Sequence, residues 1–134
     1  MERTVSVCAA DRSVQATLEW DERPPWRVAL RIPGLVPAEA SGSDLFECLL
    51  TVREHVGHWG WKVCVVGARV DAWPSRMSSQ MSGASAVYVH TMGLQAREKD
   101  LRPIFDDAPC DVIGTVEEQR QFRTQWAESL KNAR

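Results

Sequence analysis

The chain carries no G-x-S-x-G elbow, no G-x-x-x-x-G-K-[ST] phosphate loop, no G-x-G-x-x-G turn and no H-E-x-x-H pair. Their absence removes most reactions that a local pattern can identify: the hydrolase elbow, the nucleotide cradles and the zinc-peptidase helix. No uncharged apolar run reaches the length of a bilayer span, and the start, MERTVSVCAADRSV, has neither the basic beginning nor the apolar run of a secretory leader. A cytoplasmic protein without membrane contact is therefore expected. Neither sign of charge is in large excess: the formal net charge is -2, which offers no electrostatic footprint for nucleic acid or anionic lipid. Cys8, Cys48, Cys64 and Cys110 include no C-x-x-C pair, so the zinc-ribbon and dithiol patterns are excluded and reduced, mostly buried thiols are expected. His55 and His58 with Cys48 upstream lack a fourth ligand at a recognisable spacing. No metal and no cofactor are expected.

What the chain does have is the composition of an ordinary globular protein. With 134 residues, 44% hydrophobic and 25% charged, it can bury a core as one domain, residues 1–134, without staples. Six tryptophans are more than such a chain needs. They are expected to anchor the core, with one or two on a binding surface.

Residues 4–8 alternate weakly and fit a first strand. In SVQATLEWD, Val14, Ala16, Leu18 and Trp20 alternate with polar residues, and in WRVALRI so do Trp26, Val28, Leu30 and Ile32. Period-two patterns on either side of DERPP, whose prolines cannot join a ladder, predict an antiparallel hairpin with one wet face. PGLVPAEASGS reads as a loop or irregular edge. Ser43 is then a plausible N-cap for a helix over 44–59, with an apolar stripe of Leu45, Phe46, Leu49, Val52, Val56 and Trp59, closed by Gly57 and Gly60. WKVCVV is apolar on both faces, as a central strand would be. AVYVHTMG predicts another strand, 94–102 a charged loop and PIFDDAP at most one small strand. Thr115 and Glu118 form a T-x-x-E capping box opening a helix with Val116, Phe122, Trp126 and Leu130 on one side. The fold class that results is α+β: a mainly antiparallel sheet of about five strands with two long helices packed on one face.

The densest set of potential binding groups lies between 61 and 93. Arg69, Asp71 and Trp73 share one side if the chain stays extended there. Arg69 and Asp71 can hold each other or bind a polar ligand, and Trp73 with Tyr88 can form an aromatic wall or pack in the core. Ser75 can cap a short helical turn, SRMSSQM, with Met77 and Met81 one turn apart and pointing inward. A nucleophilic arrangement would take Ser75 or Ser78 as nucleophile, His90 as base and Asp71 to orient it, but only if that short helix folds back over the strands. Nucleic-acid binding through Arg69, Arg76 and Arg97, with Trp73 as a stacking platform, is disfavoured by the overall charge.

The pattern G-A-R-x-D-x-W-x-S-x-M-x-x-x-M-x-x-x-x-x-V-Y, followed by IFDDAP and TVEEQRQFRTQW, resembles small bacterial proteins common in actinobacteria that have no assigned catalytic residues. The likeness covers roughly the C-terminal half of the chain. A Gly-rich connector that follows the second Met in the related sequences is here SGASA, with a single Gly. The resemblance implies no activity; by analogy with small proteins of this build it points to toxin-immunity or other partner-binding systems. The expected function is accordingly a non-enzymatic protein-binding domain, immunity-type or an accessory subunit, that grips a protein partner through 67–90, with Arg69, Asp71, Trp73, Ser75, Arg76, Ser78, Gln80, Tyr88 and His90 as contact residues. The alternative is a small enzyme or ligand-binding domain whose pocket is formed by Arg69, Asp71, Ser78, Tyr88 and His90.

Overall fold

Alternation along the first forty residues decides the first layer. In the computed structural model, which describes residues 1–132, β1 (Glu2–Cys8), β2 (Ser13–Trp20), β3 (Trp26–Arg31) and β4 (Ala38–Gly42) form an antiparallel meander. Val5 faces Ala16, Leu18 faces Leu30 and Val28 faces Ala40. All six are buried on one face of the sheet, and burying side chains the size of Leu18 and Leu30 contributes about 2 kcal/mol each. The opposite face stays polar, with Arg27 reaching Glu39 at 2.8 Å and Arg31 reaching Glu19 at 3.2 Å across neighbouring strands. The prolines of DERPP fall in the hairpin turn, as expected, with a cis bond between Pro24 and Pro25.

The first helix, α1 (Leu45–Gly57), crosses β3 and β4 with Leu45, Phe46, Leu49, Val52 and Val56 buried. Its cap is Asp44 rather than the expected Ser43: the Asp44 carboxylate accepts from the Glu47 amide at 2.7 Å, which satisfies one of the orphan N–H groups of the first turn. Trp59, assigned to the apolar stripe on spacing, lies beyond the end of the helix and is 50% exposed.

WKVCVV is not a central strand. Only β5 (Lys62–Val63) joins the first sheet, antiparallel to β1 and at its edge, giving the order β4-β3-β2-β1-β5, while Val65 forms an isolated antiparallel bridge with Asp107. The apolar residues that follow are buried because the chain turns inward beneath α1 as a 3-10 turn over Val66–Ala68. Its amides leave the first sheet for other acceptors, Val66 N–H donating to Asp106 O and Gly67 N–H to Ile104 O, both at 2.8 Å. Gly67 is required there by proximity: a Cβ on it would stand 2.8 Å from Leu49 Cδ2.

A second, three-stranded antiparallel sheet, β6 (Ala72–Trp73), β7 (Ala86–Val89) and β8 (Leu101–Pro103), completes the strands. The expected loop 94–102 contains a 3-10 turn at Glu98–Asp100 and the start of β8. The α+β class and a five-stranded antiparallel sheet are as expected, but the two long helices do not share one face. There are three helices among the described residues: α1, the short α2 (Arg76–Ser82) and α3 (Val116–Asn132). The last packs against α1 and β6. It opens with the expected capping box, Glu118 N–H donating to Thr115 Oγ1 at 3.0 Å and Thr115 N–H to Glu118 Oε1 at 2.8 Å. No helix among the described residues is long and apolar enough to cross a membrane.

Candidate functional site

Four serines organise α2. Ser75, Ser78, Ser79 and Ser82 recur at helical spacing and give the helix a hydroxyl stripe. Ser75 Oγ accepts from the Ser78 amide at 2.9 Å, and Ser78 Oγ donates to Ala86 O at 2.7 Å. Ser79 donates to the Asp44 carboxylate that also caps α1. Gly83 ends the helix at φ +62° and its carbonyl accepts from the Leu45 amide at 2.8 Å. It also lies flat on the Trp26 indole, where a Cβ would come within 2.6 Å of Cε2. Ala84 follows at φ +59° and is fully buried, a left-handed conformation that costs a non-glycine residue about 1–2 kcal/mol. The helix is thus held at its middle and its C-terminal end although none of its side chains is buried.

Because Ser78 and Ser79 take the attached side, Met77 and Met81 face outward, 69% and 80% exposed. The inward placement expected from their spacing is wrong. An i, i+4 pair of apolar residues marks a face, and here hydrogen bonding rather than hydrophobicity chose which face docks. Arg76 and Gln80 are exposed beside them. Between α2 and the β2–β3 hairpin lies a cleft of about 710 Å³ walled by Trp20, Pro24, Trp26, Ser79, Met81 and Gly83. Its indoles are held firmly: Trp20 packs on Phe105 at 4.6 Å between ring centres, and Trp26 supports Gly83.

The other expected contact residues fall into separate groups. Arg69 and Asp71 grip each other through two bonds of 2.8 and 3.0 Å and are mostly buried; the bond to Asp71 holds the guanidinium pKa above its ordinary value. Trp73 packs edge-on against Phe46 at 4.8 Å, in register with Tyr88 across β6 and β7. Tyr88, His90 and Trp126 form a stack, the latter two rings 3.7 Å apart, with the Arg123 guanidinium 5.1 Å from the Trp126 ring. Burial first, and then the Arg123 charge, push the His90 pKa down to about 4, so its imidazole is neutral near neutral pH and its buried Nδ1 lacks a hydrogen-bond partner. Tyr88, His90, Ser75 and Arg123 border a hollow of about 220 Å³ at the N-terminal end of α2. Arg69, Asp71 and Ser78 do not line it. Ser78 is committed to Ala86 O and Asp71 to Arg69, so Ser78, His90 and Asp71 are not assembled as nucleophile, base and orienting acid. Its pairing with Asp71 likewise leaves Arg69 unavailable as a phosphate contact.

Two residues that sequence reasoning passed over hold this region in place. Arg53 of α1 is buried without a carboxylate: its guanidinium donates to Gln119 Oε1, to Gly114 O at 2.8 Å and to Ala68 O at 3.4 Å. Burial lowers its pKa to about 10. Gln119 of α3, fully buried, donates to Gly67 O at 3.0 Å and Ala72 O at 2.7 Å. Together they fasten 67–72 to both long helices and satisfy carbonyls that the broken strand leaves unpaired. The cysteines also depart from expectation. Cys48 alone is isolated, buried with its thiol 3.6 Å from Trp26 O, and His55 packs on Trp59. Cys8, Cys64 and Cys110 converge. No protein-family model and no curated protein matches the chain significantly.

Proposed function

We propose that the chain is a non-enzymatic protein-binding domain, an immunity-type or accessory subunit, that holds a partner protein through the 67–90 region. The outward face of α2 and the cleft beside it supply the contact. The observation that carries this is the exposure of Met77 and Met81 on a helix held to the protein through Ser78, Ser79 and the Gly83 carbonyl. Exposed methionines adapt to a partner's shape at little cost, and the two indoles in the adjoining cleft are of the residue type enriched among dominant interface contacts. Rigid anchoring reduces the ordering entropy that association would otherwise lose. Engagement of Ser78 and Asp71 elsewhere supports binding over hydrolysis.

The test is co-purification from the native organism with wild-type chain and with Met77→Glu/Met81→Glu. The expected result is one stoichiometric protein retained by the wild type and lost from the variant, at unchanged melting temperature. Undiminished retention by the variant would place the contact elsewhere.

One atom favours a second reading, a small-ligand site at the hollow beside His90, because Nδ1 is a buried polar atom without a hydrogen-bond partner. The volume is below the usual range for such sites. A ligand that hydrogen-bonds to Nδ1 would raise the melting temperature of the wild type and not of His90→Phe; equal shifts in both proteins would exclude it.

A further inference from the structure

Three sulfurs from distant parts of the chain meet at one corner of the first sheet. Cys8 ends β1; Cys64 follows β5 and donates its amide to Ser6 O at 2.9 Å. Cys110 opens a 3-10 turn over Cys110–Val112 that precedes α3. Cys110 Sγ touches both Cys8 Sγ and Cys64 Sγ, and the latter two are 3.5 Å apart. A sulfur enters one disulfide only, so the two pairings of Cys110 exclude each other, and either would strand a third thiol against the bond. A cation uses all three.

We propose that Cys8, Cys64 and Cys110 form a binding site for a thiophilic d10 cation, zinc(II) or copper(I). The sulfurs all lie within 4.8 Å of one another. Two sulfurs bound about 2.3 Å from a common metal are roughly 3.8 Å apart; Cys8 and Cys64 already stand near that spacing, while Cys110, in contact with both, draws back from them on binding. The donor set is sulfur alone, with no imidazole or carboxylate in the cluster among the described residues, and thiolates select soft cations over magnesium or calcium. Cys64 is buried while Cys8 and Cys110 are half-exposed, so solvent or an exogenous ligand can reach the fourth position of zinc, whereas copper(I) is complete with three. On binding, each thiol gives its proton to solvent and each sulfur donates a pair to the cation, without change of oxidation state. Affinity therefore falls as pH falls. The bound cation would tie segments separated by 102 and 46 residues and stabilise the fold by ligand linkage.

The experiment uses the full chain, reduced and handled without oxygen, titrated in separate arms with zinc(II) and with copper(I) against a chromophoric competitor. Expected are one equivalent bound in at least one arm, a rise in melting temperature, and at least a 100-fold loss of affinity in Cys110→Ser. X-ray absorption on the loaded wild type should show three sulfurs at about 2.3 Å, with an added light scatterer only for zinc. This measurement keeps the test independent of how well the serine variant folds. No retention of either metal by the reduced protein overturns the proposal, as does retention unaffected by Cys110→Ser or a shell with fewer than three sulfurs. A reduced protein that binds neither cation but forms a Cys110 disulfide on exposure to oxidised glutathione would assign the cluster to thiol exchange instead.

Discussion

Gln119 joins the two halves of the buried polar network. Its amide serves Arg53, Gly67 and Ala72 at once, and a leucine of similar size would leave the buried guanidinium and two carbonyls short of partners. Gln119→Leu is expected to cost on the order of 2–4 kcal/mol in urea unfolding, and a loss below about 0.5 kcal/mol would show that the network is dispensable. His90 makes a second expectation at this scale. Its folded pKa of about 4 lies below the ordinary value of 6.5, so between those values the unfolded chain binds a proton that the folded chain refuses. The contribution to stability is thus present above about pH 6.5 and falls as the pH drops toward 4, by on the order of 1–3 kcal/mol. Arg123 opposes protonation, while Asp100 and Asp71 favour it. Melting temperatures of wild type and His90→Phe between pH 7 and 4.5 should diverge, the variant declining less; parallel curves would contradict the assignment. Neither Arg53 nor Gln119 was legible in the sequence, because each lies in a charged window where polarity reads as solvent exposure.

Among the elements, those that announce themselves through local chemistry were the legible ones. The β2–β3 hairpin follows from two period-two runs and the intervening prolines, and α3 from its T-x-x-E opening. The misread elements are those whose partners are remote. β5 is short because the amides after it pair with 104–106, a segment about forty residues away that has no periodic signal of its own. The capped turn at Ser75 and its release at Gly83 were legible; the facing of α2 was not, since four serines look like a surface and two methionines like a core. Gly83→Ala tests the attachment directly. The added methyl meets Trp26 and must adopt a left-handed conformation, for an expected cost of about 1–3 kcal/mol. Hydrogen exchange of the Leu45 amide, which donates to Gly83 O, should accelerate at least tenfold. Unchanged protection there would mean that α2 is not held by its C-terminal end.

At the scale of the whole molecule, one core runs through both sheets, from Val5 in the first strand to Ile113 ahead of the last helix. Meetings across the chain are what a single sequence conceals. The convergence of Cys8, Cys64 and Cys110 depends on a register between β1 and β5 and on a turn just before α3, and neither is visible in cysteine spacing. The division of the expected contact residues into an exposed helix, a closed ion pair and an aromatic stack likewise depends on where the second sheet sits. The exposed, firmly attached α2 beside the Trp20 and Trp26 cleft is the part of that arrangement on which the functional proposal stands. It is tested most directly by placing a photo-crosslinking amino acid at Met81 and, separately, at Val36, which is 76% exposed far along the chain, and irradiating the native cells. Capture of one and the same protein from position 81 and none from position 36 is the predicted result; capture from position 36 alone, or equally from both, would contradict it.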